Sequence, residues 1–277
     1  MAADTLTARK ARSAQIQADR QTLRALTDDY LSVWRSVRAD LDDLNHQISE
    51  ARQAGKTVSP SWLYRQERYK ALLAGIKKRV GSFTDQASQR IYNEMLRAYH
   101  DGGNDAMALL RASLPDGVSY AFTHPPLAAF EALSRETLGK LFSGYGRETA
   151  LDVRKALLQG LARGQSPAQI AKSVRDAMSG PLWKALRISR TEVMRAYNSA
   201  SSATYQANRE VLQGWEWLTG PDPCPFCASQ AGKVFSVDET LDSHPQCRCT
   251  QKPLTRSYAD ILGPLGIDVG SIPALAG

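Results

Sequence analysis

The sequence predicts a mainly α fold with a small β-unit, α+β in detail: a long N-terminal helical hairpin followed by a helical C-terminal domain. Three observations lead there. Two apolar seams with heptad spacing occupy the first hundred residues, capped helical segments fill 127–208, and β-prone sequence rich in Cys begins at Gly214. The background is that of a globular chain, with 277 residues of which 43% are hydrophobic and 23% charged, so wholesale disorder is excluded. No apolar run approaches the roughly 18 residues of a membrane-spanning helix. The N-terminal MAADTLTARKARSAQ has basic residues without an apolar core behind them, so the expectation is a soluble chain kept in the cytoplasm where it is made.

The first seam runs Tyr30, Trp34, Val37, Leu41, Leu44, Ile48 and Ala51, and Leu23 and Leu26 extend it upstream in a slightly different phase. It stops at Gly55, a residue suited to a C-terminal cap, and Ser59-Pro60 suits an N-cap with proline at the first helical position. The second seam runs Tyr69, Leu73, Ile76, Val80, Phe83 and Ala87. A short loop between matching seams predicts an antiparallel hairpin over about 27–100. Gly102-Gly103, Pro115-Asp116-Gly117 and Pro125-Pro126 then predict a hinge, dividing the chain into an arm (1–125), a C-terminal domain (126–255) and a tail (256–277). Helix resumes near Leu127, and Thr149–Leu161 closes at Arg163-Gly164. Ser166-Pro167 opens a short helix ending at Ser179-Gly180-Pro181, and a further helix covers about 182–208. Trp215–Leu218 and Lys233–Val237 read as strands, with a third over Cys247–Pro253.

Net charge is +7, placed unevenly: residues 1–100 carry 17 Lys+Arg against 11 Asp+Glu, residues 101–277 carry 18 against 17. A modest basic bias suits an acidic partner, either nucleic acid or an acidic protein ring.

All four cysteines fall between 224 and 249, too clustered for a disulfide framework. They form Cys224-x2-Cys227, then sixteen residues, then His244-x2-Cys247-x-Cys249. A C-x2-C turn brings two thiolates onto one ion; His244 with Cys247 at the same spacing, or Cys247 with Cys249 two apart on a strand, can supply the other pair, and the sequence leaves open which of these three is not a ligand. Five donors compete for the four positions of one structural zinc, which would stabilise a β-unit over about 214–255 that lacks a large core of its own. Trp215, Trp217, Phe226 and Phe235 read as that unit's core. A zinc deaminase needs an upstream H-x-E beside its P-C-x-x-C, and none of His46, His100 or His124 offers the Glu. There is no H-E-x-x-H either, so the metal reads as structural and no catalytic residue is assigned. Arg190 and Glu192 read as polar contacts joining the last helix to the β-unit.

Arg190-Thr191-Glu192, Asn198, Tyr205, Trp217, Asp222-x-Cys224-x2-Cys227, Gly232-Lys233 and His244-Pro245-x-Cys247-Arg248-Cys249 form an ordered signature, preceded by Leu161-x2-Gly164-x-Ser166-x3-Ile170. Over roughly residues 150–255 it resembles the tailed-phage head morphogenesis proteins, the phage Mu F-like minor head proteins. The resemblance implies a non-enzymatic minor capsid protein of the virion, inside the capsid near the portal vertex and associated with the portal protein. It would act in procapsid assembly and genome packaging or delivery. Major capsid or scaffold protein and non-specific contact with packaged DNA are further expected interactions, and a membrane is not. The competing reading is a zinc-containing nucleic-acid-binding protein using the basic arm and the aromatic-rich zinc unit. Behind it comes a zinc-scaffolded nuclease or transferase, for which no catalytic constellation is visible.

Overall fold

A computed structural model describes residues 2–114, 121, 123, 126–241 and 244–263. The elements are α1 (Ala2–Gln53), α2 (Pro60–Tyr64), α3 (Glu67–Ser113), α4 (Ala128–Phe142), α5 (Tyr145–Ala162), α6 (Pro167–Ala207), β1 (Leu212–Leu218), α7 (Pro225–Gln230), β2 (Val234–Phe235), β3 (Thr250–Thr255) and α8 (Tyr258–Leu262). The fold is mainly α with one small antiparallel sheet, as the sequence predicts. None of the described helices is long and apolar enough to cross a membrane.

Packing groups the chain into two units, one of residues 21–92 and 135–189, the other of 1–20, 93–134 and 190–277. Each draws on segments from both sides of residue 125. The predicted hinge residues 115–117 and 125, His124, and the tail beyond 263 lie outside the described residues.

In the first unit α1 and α3 run antiparallel, since partners descend along α3 as they ascend along α1. Asp29 pairs with Arg90 at 3.0 Å and Asp40 with Arg79 at 2.5 Å, and Gln47 meets Gln66 at 3.0 Å. Tyr30 and Phe83 meet edge to face with centroids 5.0 Å apart. The first seam is buried apart from Trp34, which is half-exposed. In the second, Leu72 is buried where the heptad predicts Leu73. The buried positions Tyr69, Leu72, Ile76, Val80, Phe83, Ala87 and Ile91 follow steps of 3, 4, 4, 3, 4 and 4. That is the period of an unsupercoiled or slightly right-handed helix, so the stripe drifts off a strict heptad. Ser59 caps α2 through the Trp62 N–H at 3.2 Å with Pro60 behind it. Ser166 and Gln169 exchange hydrogen bonds as a capping box at the start of α6.

The sequence divides 167–208 at Pro181, but the structure carries one helix through it. Pro181 removes one N–H from the ladder without ending the helix. Three residues earlier the carbonyl of Met178 accepts the buried Tyr30 hydroxyl.

In the second unit α3 runs straight through Gly102-Gly103 to Ser113. A Cβ at Gly102 would lie 2.3 Å from the carbonyl oxygen of Tyr197 on α6, so glycine here permits a close helix crossing and does not break the helix. Ser201 Oγ donates to the Gly102 carbonyl at 3.2 Å across the same crossing. The sheet order is β2-β1-β3, both pairs antiparallel, with an irregularity between Leu212 and Gly214. Its core is shared with helices: Trp215, Trp217, Val211 and Leu212 pack with Ala106 and Leu110 of α3, Tyr205 of α6, and Cys227, Cys247 and Cys249.

Candidate metal centre

The first pair of donors is set by a short helix. Cys224 is the N-cap of α7, its Sγ accepting the Cys227 N–H at 3.4 Å, with Pro225 at the first helical position. One turn of helix therefore places Cys224 and Cys227 side by side. The second set lies on the chain entering β3. His244 Nδ1 donates to the Pro245 carbonyl at 2.8 Å, which leaves Nε2 as the free lone pair. That Nε2 stands 3.2 Å from Cys224 Sγ and 3.2 Å from Cys227 Sγ, and Cys227 Sγ stands 3.7 Å from Cys247 Sγ. Two triads, Cys224/Cys227/His244 and Cys227/Cys247/Cys249, each fall within a common sphere and share Cys227.

These separations fit a metal. Thiolates about 2.3 Å and an imidazole about 2.0 Å from a tetrahedral ion stand about 3.5–3.8 Å apart. All five donors predicted from the sequence are thus brought together, and the cluster could hold a metal ion. Cys227, Cys247 and Cys249 are buried, and Cys224 and His244 are partly exposed.

Without a cation the cluster favours two thiolates and two thiols. The Cys227 N–H lowers the Cys224 thiol, and the Cys247 thiol, donating to Cys249, is the main cause that brings Cys249 down to about 5. Burial pushes Cys227 up to about 12, and donation to Cys249 followed by burial raises Cys247. A cation entering the cluster would displace the protons held on these two.

Residues of α6 hold the second donor set in place. Thr191 Oγ1 accepts the Gln246 N–H at 3.1 Å, and Arg190 reaches Gln246 Oε1 at 3.4 Å. Asn198 Nδ2 donates to the Cys249 carbonyl at 3.0 Å, Ser202 Oγ to Gln251 Oε1 at 2.9 Å, and Tyr205 Oη to the Gln251 carbonyl at 3.5 Å. Positions 191, 198, 202 and 205 share one face of the helix, and their partners ascend in step from 246 to 251. Arg190 makes the predicted contact with the β-unit. Glu192 instead pairs with Arg195 of its own helix at 2.8 Å. Sequence reasoning missed Ser202 and Gln251; the only signal was the spacing of small polar residues along one face of α6.

Of the predicted core aromatics, Trp215 and Trp217 are buried and Phe235 stacks on Trp215 at 4.5 Å. Phe226 is 53% exposed, meeting Trp217 edge to face at 6.2 Å, because α7 directs Cys224 and Cys227 toward the cluster and leaves Phe226 outside.

Residues 151–252 match the family described as Phage Mu protein F like protein. No curated protein and no solved structure matches the chain.

Proposed function

We propose, from the premise that residues 151–252 make this chain a member of the phage Mu protein F-like family, that it is a minor head protein acting in tailed-phage head morphogenesis. One observation carries the reading. The matched span contains all five candidate donors and the whole α6 face that holds them, so what the family match covers is one module whose Cys and His side chains could share a metal ion.

The metal in this reading is one structural Zn²⁺, held by four of the five side chains Cys224, Cys227, His244, Cys247 and Cys249. Bound there, zinc supplies a cross-link between α7 and the chain entering β3. Four protein ligands leave no coordination position for a substrate water, so the site stabilises and does not catalyse. The protein is accordingly a structural component of the virion, not an enzyme.

Its partner in this reading is the portal ring inside the capsid, at the portal vertex, with major capsid or scaffold protein as secondary contacts during procapsid assembly. Repeated portal subunits offer equivalent sites, so weak contacts from several copies add by avidity. The test is co-expression of full-length protein with its portal, followed by affinity purification and mass spectrometry of assembled particles. Co-purification, with the chain present in particles at a few copies, is expected. Particles lacking the chain, together with no portal association, overturn the reading.

A further inference from the structure

Folding partitions charge in a way that chain order hides. The unit built from residues 21–92 and 135–189 carries 22 Lys+Arg against 12 Asp+Glu, while the unit bearing the metal cluster carries 13 against 16. The whole positive excess therefore sits on the purely helical unit. Its basic residues 135–189 escape notice in the sequence because the acidic β-unit follows them.

Within that unit, α1 and the first turns of α6 enclose a cleft of about 480 Å³ lined by Trp34, Arg38, Asp42, Asn45, Lys172 and Arg175. Its cations are available. Arg38 meets Asp42 only at 3.7 Å and Arg175 meets Asp176 only at 3.7 Å, with all four side chains more than half exposed. Pairs of that geometry hold their partners weakly. Lys172 has no ion pair among the described residues and is exposed. Trp34, which leaves the hairpin seam half-exposed, supplies an aromatic face, and the buried Asn45 has a side-chain Oδ1 with no hydrogen-bond partner among the described residues.

We propose that this cleft is a nucleic-acid-binding site. Arg38, Lys172 and Arg175 take backbone phosphates, and Trp34 packs on a sugar or base. Two features favour nucleic acid over an acidic protein. An aromatic face sits among the cations, and the positive excess extends over the unit as a regularly charged polyanion requires. The net acidic, aromatic-rich metal unit is not the binding surface. None of this depends on the head-protein reading.

The test uses the full chain and fluorescence anisotropy with a 30-bp duplex, a 30-nucleotide single strand and poly-L-glutamate, over a series of salt concentrations. Wild type binds DNA with affinity falling steeply in salt. The triple variant Arg38→Gln/Lys172→Gln/Arg175→Gln binds at least about tenfold more weakly at low salt, its log–log salt slope shallower by about two to three, near one for each phosphate no longer neutralised. Arg209→Gln/Lys233→Gln, on the other unit, binds as wild type does. Wild-type affinity in the triple variant overturns the proposal, as does displacement of DNA by polyglutamate at equal charge concentration. If the triple variant fails to fold, photocrosslinking of DNA to wild type decides. Crosslinks to 34–45 and 167–175 support the site, and crosslinks confined to 212–255 overturn it.

Discussion

The hydroxyl of Thr191 accepts the backbone N–H of Gln246 at 3.1 Å, tying α6 to the turn between His244 and Cys247. Gln246 has φ of 65°, a left-handed conformation that a non-glycine residue adopts at a cost unless its surroundings hold it. That conformation shapes the turn from which both His244 and Cys247 reach Cys227. The α6 face from Thr191 to Tyr205 thus does for the second donor pair what the one-turn helix α7 does for the first. It also gives the ordered signature Arg190-Thr191, Asn198, Tyr205 a physical role in positioning donors.

Removing that support should loosen the centre without touching a donor. Asn198→Ala leaves the buried Cys249 carbonyl without its partner and should cost about 1–3 kcal/mol, whereas Thr191→Val exposes an N–H that water can reach and should cost about 1 kcal/mol. Both should release metal to a chelator faster than wild type. Denaturation of the zinc-loaded protein, with a colorimetric chelator assay, measures both effects. Unchanged stability and release in the two variants would show that α6 is a bystander.

The cluster should bind one zinc per chain by elemental analysis. Cys224→Ser/Cys227→Ser should lose it, and hydrogen exchange should then rise across 212–255 while α1 and α3 stay protected. Among His244→Ala, Cys247→Ser and Cys249→Ser, one variant should keep its zinc, because five side chains compete for four positions and one of these three is spare. Full occupancy in the double variant, or full occupancy in all three single variants, contradicts this donor assignment.

The helical hairpin and the clustering of the five candidate donors are legible in the sequence because each rests on a local pattern: apolar spacing in one case, Cys and His spacing in the other. What failed to show were features decided by distant neighbours. Residues 2–22 belong to α1, yet their buried stripe includes Arg12, Gln15 and Asp19, which no apolar template detects. Arg12 donates to the Thr219 carbonyl, and Gln15 accepts from Arg97 at 3.3 Å. Gly102-Gly103 and Pro181 read as breaks because local propensity says so, and tertiary packing overrides it at both. The α6 contacts with 246–251 were invisible for the same reason, being bonds between positions about 50 apart.

Gly102 offers a direct test of such an override. Ala is ordinarily the better helix former by about 1 kcal/mol. At Gly102, however, its Cβ would meet the Tyr197 backbone at 2.3–3.0 Å, and backbone cannot rotate away as a side chain can. Gly102→Ala should therefore destabilise by about 1–3 kcal/mol, the range for overpacking. Gly139→Ala, within α4 and with nothing within 4 Å, should instead stabilise by about 0.5–1 kcal/mol. Melting temperatures moving in the same direction for both variants would refute the crossing argument.

Two carboxyls of the metal-bearing unit give a pH dependence whose sign can be worked out. Burial raises Asp105 above its ordinary 3.8, against a lowering by the Tyr197 hydroxyl that it accepts at 2.8 Å. Burial likewise raises Glu192 above 4.5, against the lowering by Arg195. In both cases the folded chain holds the proton more tightly than the unfolded chain. The stabilising contribution is complete below the unfolded pKa and is lost as pH rises through the folded one, after which the ionised group opposes folding by a constant amount. Asp105→Asn keeps an acceptor for Tyr197, and Glu192→Gln gives up only an ion pair to a half-exposed arginine. Each should therefore be more stable than wild type near pH 7–8, with the advantage shrinking as pH falls toward the ordinary values. The metal centre adds its own pH dependence, but it is common to variant and wild type and cancels in the difference between them. Denaturant unfolding of both proteins from pH 4 to 8 measures that difference. An advantage that grows toward acid would mean the folded state lowers these pKa values, and that the buried carboxyls are stabilised as anions.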